Sequence, residues 1–147
     1  MTTPTGLSPA QEIEIRAACE RVALDYAFFA DSARREDLAS LFAEDGEFHL
    51  FGKVHVGPTG VLEGLNANPA GTTSSIHSLS NHRVEVISQT QARGTAYVTV
   101  FVFDKAAPSS AVISPVIVGT YDEVYRRTGA GWRFARRSFT PLIIPAG

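Results

Sequence analysis

The sequence has little cysteine, little net charge and no long apolar run. Its 147 residues include one cysteine, Cys19, which excludes an internal disulfide and a zinc cluster built on cysteines. The 13 basic residues against 15 acidic ones leave a net charge of −2, whereas a nucleic-acid backbone calls for a basic surface. No apolar run approaches the ~20 residues that cross a bilayer. We therefore expect a soluble cytoplasmic protein that binds neither nucleic acid nor membrane.

The chain does contain enough apolar side chain for one packed core. Hydrophobic residues make up 44% of it, including 9 Phe, 4 Tyr and 1 Trp. A chain of this length forms one domain more readily than two. We predict a single domain over residues 1–147, with a frayed N-terminus at residues 1–8.

The first half of the chain has a helical pattern. Ser8 followed by Pro9 is typical of a helix start. The apolar residues that follow recur at alternating spacings of four and three, which places them on one helix face: Ile15, Cys19, Val22, Tyr26 and Phe29. After a polar elbow at 31–35, Leu38, Leu41 and Phe42 predict a second, shorter helix that ends at Asp45-Gly46.

The second half has the alternating pattern of strands. We predict a strand broken at Gly52, a short helix before Asn68-Pro69, and then strands over about 76–88, 92–104, 113–127 and 131–140, with a loop at 106–110. Residues 95–103 are apolar on both faces, so this strand is expected to lie centrally and to be covered twice. Helices followed by an antiparallel meander predict an α+β fold. We expect the sheet to curl around the first helix and to leave a cavity between its concave face and the helices.

Several kinds of active site are disfavoured by spacing. His77 and His82 are expected on opposite faces of their strand, and Gly52 separates His49 from His55, so these spacings argue against a metal site. The chain has neither a G-x-S-x-G elbow nor a glycine-rich phosphate loop. We therefore expect no metal and no cofactor.

Three isolated polar residues beside apolar stretches remain as candidates. Tyr26 lies on the buried helix stripe, Asp31 at the elbow, and His77 where the sheet begins. Each also has a purely structural interpretation, as a buried phenol, a cap or a satisfied core histidine. Spacing alone does not bring residues 31 and 77 together.

An ordered set of motifs extends from about residue 10 to residue 142. It comprises Tyr26-x4-Asp31-x6-Leu38, Ser75-Ile76-His77-x3-Asn81, Gly119-Thr120-Tyr121-x3-Tyr125 and Gly131-Trp132-Arg133-Phe134. This set resembles the SnoaL-like branch of the nuclear transport factor 2-like superfamily, to which scytalone dehydratase, bile acid 7α-dehydratase and hexachlorocyclohexane dehydrochlorinase belong. The resemblance implies a cone-shaped, cystatin-like α+β barrel with a deep hydrophobic cavity.

The resemblance also implies roles for individual residues. His77 matches the catalytic base of these lyases, Asp31 the aspartate that orients it, and Tyr26 the active-site tyrosine of the bile acid enzyme. For substrate binding, Arg137 matches an active-site arginine of the dehydrochlorinase, although an outward, solvated side chain is an equal alternative. Val98 and Val100 match its cavity strand, and Phe48 and Phe101 are further candidates for the cavity wall.

One departure from the family limits the substrate. Scytalone dehydratase has a second catalytic histidine on the strand that here contains residues 100–103, and this chain has none there.

The segment 139–147 resembles a tail that closes over the cavity or lies between subunits. The resemblance implies a homotrimer, with a homodimer as the alternative.

The expected function is that of a cofactor-independent dehydratase or related lyase. Its substrate would be a small hydrophobic cyclic molecule, and His77 with Asp31 would carry the acid–base chemistry. Two alternatives stay open: an isomerase or cyclase acting on a polyketide- or steroid-like substrate with the same pair, and a non-catalytic protein that binds a small ligand.

Overall fold

In the residues that the structure describes, the fold has three helices and six strands. The computed structural model describes residues 4–67, 73–106 and 116–145. The elements are α1 (Pro9–Asp31), α2 (Arg35–Ala39), β1 (Phe42–Leu50), β2 (Lys53–Val56), α3 (Gly57–Asn66), β3 (Thr73–Val86), β4 (Gln91–Asp104), β5 (Val116–Thr128) and β6 (Gly131–Ile143). The predicted α+β class is confirmed. Within these residues no helix has both the length and the apolarity to cross a membrane.

The strands form one sheet in the order β2-β1-β6-β5-β4-β3. Strands β3 to β6 are the predicted antiparallel meander, and β1 joins β6 in parallel. In the described part of the chain β2 and β3 are edges that do not pair with each other, so the expected barrel is a curled but open sheet. Helix α1 packs against β3, β4 and β6 on the inner face.

Strand β4 does not lie at the centre of the sheet, as its apolar faces had suggested. It is next to the edge strand β3, and on its outer face Tyr97 is 50% exposed and Phe103 is 37% exposed. The prediction that both faces are covered is wrong for the single chain. An outer face of this composition exposes apolar surface to solvent.

Helix α1 starts at the predicted position. The Ser8 side chain accepts from the backbone N–H of Gln11, and the Gln11 side chain accepts from the Ser8 backbone N–H, which completes a capping box. The fraying predicted for residues 1–8 does not extend to the end of that segment, because Leu7 is only 4% exposed and packs in the core. Thr5 Oγ1 also donates to Glu12 Oε1 at 2.7 Å.

The second helix is shorter than predicted. It ends at Ala39, and β1 begins at Phe42, where the backbone N–H of Phe134 donates to the Leu41 carbonyl at 2.9 Å. Leu38, Leu41 and Phe42 are all buried, so they fit the core in either conformation. Pairing with β6 decides between the two.

The expected bend at Gly52 is a full hairpin turn between β1 and β2. Phe51 and Gly52 both have positive φ, at 47° and 77°, and Leu50 pairs with Lys53 across the turn. A two-residue turn of this kind matches the twist of the flanking strands. It places the Phe51 ring 5.4 Å from that of Phe139.

A bulge in β3 changes which residues face the core. Asn81 has φ +49°, and the pairing with β4 shifts between Ser80 and Arg83. The extra residue returns His82 to the face that carries His77. The prediction of opposite faces for the two histidines is therefore wrong.

The predicted tail beginning at residue 139 is, as far as Ile143, the continuation of β6. Phe139 pairs with Tyr121 in the sheet, and their rings lie 5.5 Å apart. Some predicted features fall outside the described residues: Asn68-Pro69, the loop from 107 onward, the strand start at 113–115, and residues 1–3 and 146–147.

Candidate active site

A cavity of about 460 Å³ lies between the end of α1, the β1–β2 hairpin, α3 and the inner face of the sheet. Its walls are mostly apolar. They include Leu38, Leu50, Leu65, Val100, Val102, Ile117 and Phe139. The polar lining includes Tyr26, Asp31, Ser75, His77 and Tyr121, together with two cations, the half-buried Arg35 and the exposed Lys105. An apolar pocket with a few convergent polar groups is typical of a small-molecule site.

Asp31 is placed by the way in which α1 ends. Ala33 adopts the left-handed conformation with φ +56°, and the Arg34 N–H donates to the Phe29 carbonyl at 2.9 Å, which stops the helix. A carboxylate in the last turn is disfavoured by the helix dipole. Here the backbone N–H of His77 offsets that unfavourable effect by donating to the Asp31 carboxylate, with the nitrogen 2.9 Å from Oδ2 and 3.1 Å from Oδ1.

The His77 ring makes a short hydrogen bond to the same carboxylate. Its Nδ1 lies 2.6 Å from Asp31 Oδ1, so with ionised Asp31 the proton is on Nδ1 and Nε2 carries the free lone pair. Among the described residues Nε2 has no hydrogen-bond partner. Burial lowers the pKa of His77 below its ordinary value of 6.5, against the opposing influence of Asp31. The imidazole is therefore neutral at pH 7.

Two phenols lie beside this pair. The Tyr26 ring is edge-on to His77 at 6.2 Å and edge-on to Tyr121 at 6.1 Å. Burial raises the pKa of both phenols, and that of Tyr26 well above 10. Both hydroxyls therefore stay protonated and can donate a hydrogen bond.

Arg137 points into the core. It is fully buried, and its guanidinium carbon lies 3.5 Å from the centre of the Tyr121 ring and 4.1 Å from that of Tyr26. Its counter-charge is Glu123, with Nη2 3.8 Å from Oε1. Glu123 also accepts from the Tyr125 hydroxyl, and His82 Nε2 lies 3.2 Å from that hydroxyl.

The substrate-binding candidates are distributed unevenly around the cavity. Val100 lines it, whereas Val98 and Phe48 are buried in the adjoining core and Arg137 lies behind the two tyrosines. Phe101 is on the outer face of β4, opposite the exposed Ile76 of β3. Strand alternation places it away from the cavity.

Sequence reasoning gave no role to Tyr121 or Glu123. Tyr121, Glu123 and Tyr125 have the same parity on β5 and are all buried. That parity predicts a shared face, so an alternation of Tyr, Glu and Tyr was a usable signal for an unusual polar core.

The chain matches a family model described as a SnoaL-like domain over residues 11–138. Among solved structures, a scytalone dehydratase-like protein from Novosphingobium aromaticivorans has a TM-score of 0.79 at 22% identity, over 94% of this chain and 91% of that one. At that identity the likeness shows the fold alone. No curated protein matched the chain.

Two dehydrochlorinase structures are also similar. Hexachlorocyclohexane dehydrochlorinase LinA type 2 has a TM-score of 0.75 at 26% identity, over 95% of this chain and 98% of that one. LinA type 3 from Novosphingobium barchaimii LL02 has a TM-score of 0.74 at 25% identity, over 95% of this chain and all of that one (100%). The structural neighbours thus include proteins named for the removal of water or of hydrogen chloride.

Proposed function

Because the chain belongs to the SnoaL-like family, we propose that it is a cofactor-independent lyase that removes water, or another HX, from a small hydrophobic cyclic substrate. The observation that carries the proposal is the 2.6 Å hydrogen bond between His77 Nδ1 and Asp31 Oδ1 at the wall of an apolar cavity. A neutral imidazole oriented by a carboxylate is a general base that needs no metal.

In the proposed reaction His77 Nε2 takes a proton from a carbon next to a carbonyl or on an activated ring. Asp31 stabilises the imidazolium that forms. A protonated phenol, which the resemblance assigns to Tyr26, donates to the oxygen on which negative charge develops. The imidazolium then returns its proton to the departing hydroxyl, which leaves as water, and His77 is neutral again.

Two alternatives use the same cavity. An isomerase or cyclase would return the proton to carbon, so its product would have the mass of the substrate, whereas a dehydratase product is lighter by one water molecule. A protein that only binds its ligand would have no need of an oriented base. The Asp31–His77 hydrogen bond supports catalysis over binding alone.

The test is turnover of a panel of cyclic β-hydroxyketones by the purified protein, followed by mass spectrometry. Wild-type protein should release the dehydrated ketone, and His77→Gln should reduce kcat by roughly 10²–10⁴-fold. His49→Gln is the matched control, because His49 is partly exposed and bonded to Glu47 away from the cavity. Wild-type rates in His77→Gln would refute the proposal.

A further inference from the structure

The cavity lining carries positive charge that the proposed reaction does not use. Arg35 and Lys105 both line the cavity, the first half-buried and the second exposed. Arg35 is the first residue of α2, and its Nη1 donates to Asn66 Oδ1 at 3.1 Å, at the end of α3. A guanidinium has five N–H donors, so this contact holds the side chain in place and leaves further donors for a ligand.

The strand ends place Lys105 at a distance from His77. Lys105 follows Asp104, the last residue of β4, which pairs with Thr73, the first residue of β3. Thr73 also lines the cavity. It precedes His77 by four residues of regular strand, a distance of about 13 Å. We call Arg35, Thr73 and Lys105 the rim; a ligand that contacts both Lys105 and His77 is an elongated ring system.

In the part of the chain that the structure describes, no carboxylate pairs with either cation of the rim. Asp31 is the one acidic residue of the described lining, and it already binds the backbone N–H and the ring of His77. Asp104 is outside the lining, and its Oδ1 accepts from the Ala106 N–H at 2.8 Å. The positive charge of the rim is therefore available to a ligand.

The balance of charge favours a ligand with a single negative charge. With His77 neutral, the described lining has two positive charges, on Arg35 and Lys105, against the one negative charge of Asp31. The segments 68–72 and 107–115, which adjoin the described ends of β3 and β4, contain no acidic residue. A carboxylate supplies one negative charge, and its two oxygens match the planar fork of a guanidinium.

We propose that the rim binds a carboxylate, so that the ligand of this cavity is an apolar ring acid. Arg35 and Lys105 contact the carboxylate, the apolar walls enclose the ring, and the carbon that loses its proton lies at His77 Nε2. The proposal rests on the proposed function for the reaction at His77, whereas binding of the acid does not require turnover.

The first test compares 2-naphthoate with 2-naphthamide by isothermal titration calorimetry at pH 7. The two probes have nearly the same shape, and the acid is ionised at this pH whereas the amide is neutral. Wild-type protein should bind the acid roughly 10-fold more tightly than the amide, because a charge-assisted hydrogen bond is stronger than a neutral one. Added salt should weaken binding of the acid and leave that of the amide unchanged.

Substitutions at the rim should remove the preference for the acid. We expect Arg35→Gln to weaken 2-naphthoate binding by roughly 10-fold, and Lys105→Gln to weaken it by roughly 2–5-fold because Lys105 is exposed. Binding of 2-naphthamide reports that the cavity of each variant is folded. Arg93→Gln is the matched control, since Arg93 is exposed near the start of β4 and outside the lining.

Three results would overturn the proposal. They are equal affinity of wild-type protein for the acid and the amide, wild-type affinity for the acid in the Arg35→Gln and Lys105→Gln double variant, and tighter binding of 2-naphthyl phosphate than of 2-naphthoate. If Arg35→Gln does not fold, Arg35→Lys keeps the charge and removes the fork. It should still bind the acid several-fold more weakly than wild type, and an unchanged affinity would contradict the contact.

Kinetics separate this proposal from the proposed function. For a cyclic β-hydroxyketone that carries a ring carboxylate, KM should be lower than for the same ketone without it. Arg35→Gln should raise the KM of the acid roughly 10-fold and affect kcat much less, because the rim binds ground state and transition state alike. Turnover with no preference for the acid would refute the rim assignment alone. Rim-dependent binding of 2-naphthoate without any turnover would refute the lyase alone.

Discussion

At the scale of the single residue, the proposed chemistry depends on the Asp31 carboxylate, which holds both the backbone N–H and the ring of His77. Asp31→Asn keeps the shape but removes the charge, and an Asn amide can donate to Nδ1 and so fix the opposite tautomer. We expect kcat to fall by roughly 10²–10⁴-fold. The pKa of His77 should fall below its wild-type value, because Asp31 supports the protonated ring.

A ¹³C or ¹H NMR titration of the His77 ring measures that pKa without substrate. The matched control is Asp25→Asn, less than two turns earlier on α1, where the carboxylate pairs with Arg21 on the helix surface. An unchanged His77 titration in Asp31→Asn would show that the carboxylate does not set the protonation of the ring.

His77 also makes folding stability depend on pH. Burial lowers its pKa in the folded chain below the ordinary 6.5, against the influence of Asp31. Below about pH 6.5 the unfolded chain therefore binds this proton more readily than the folded chain does. The stability contributed by neutral His77 is complete above that pH, and it is lost as the pH falls through the folded value.

Urea unfolding at about pH 7.5 and about pH 5.5 measures this effect. The acid-side loss of unfolding free energy should be smaller in His77→Gln than in wild type, and His49→Gln should keep the wild-type loss. Equal losses in wild type and His77→Gln would contradict a lowered folded pKa.

At the scale of the element, two bulges explain why side chains in β3 and β6 face other sides of the sheet than strict alternation predicts. The strands themselves were predictable, because β3 to β6 begin and end near the residues at which the hydrophobic pattern changes. The bulge at Asn81 turns His82 inward. The second bulge is in β6. The neighbouring β5 residues Tyr125 and Val124 pair with Phe134 and Arg136, so Ala135 is an extra residue, and it turns Arg137 onto the same face as Phe134.

A strict period of two cannot contain such an insertion, since one extra residue reverses every later side chain. This is why the sequence left the direction of Arg137 open and placed the two histidines on opposite faces. The helical pattern at 38–42 failed for a different reason. Local periodicity there fits both a helix and a buried strand, and only the distant Phe134 selects the strand.

The same bulge in β6 creates a buried ion pair between neighbouring strands. Glu123 and Arg137 are Cα partners, and both side chains are inaccessible to solvent. Glu123→Gln leaves the guanidinium without its counter-charge, so the unfolding free energy should fall by about 3–5 kcal/mol. Replacing both partners, as Glu123→Gln with Arg137→Met, should cost less than the sum of the single changes.

Chemical denaturation of the four proteins in this cycle measures the coupling. Asp122→Asn is the control, because Asp122 precedes Glu123 on β5 but is exposed on the opposite face. Additive losses in the double variant would mean that the two buried charges do not stabilise each other.

At the scale of the whole molecule, the resemblance predicted more than the residues alone could. The helix and strand patterns predict the α+β class and a covered inner face, but residues 31 and 77 are 46 positions apart and no periodicity brings them together. The ordered family motif predicted that they meet. It assigned no role to Tyr121 or Glu123, whose places depend on the pairing of β4, β5 and β6.

The outer face of β3 and β4 exposes apolar side chains to solvent in the single chain. Ile76 of β3 is 51% exposed there and Tyr97 of β4 is 50% exposed. Phe101 and Phe103 lie on the same face of β4, and Phe101 pairs with Ile76. Apolar surface of this kind is typical of an interface. We predict that a second copy of the chain covers it, within the homotrimer that the resemblance implies.

Sedimentation of the purified protein tests the assembly. We expect a mass of three 15.8 kDa chains for wild type, and a shift toward single chains for Tyr97→Lys, because a buried unpaired ammonium opposes association. Ile13→Lys is the matched control, since Ile13 is 63% exposed on α1, away from this face. A two-chain wild type that Tyr97→Lys separates would support the homodimer alternative through the same face, whereas a wild-type mass for Tyr97→Lys would place the interface elsewhere.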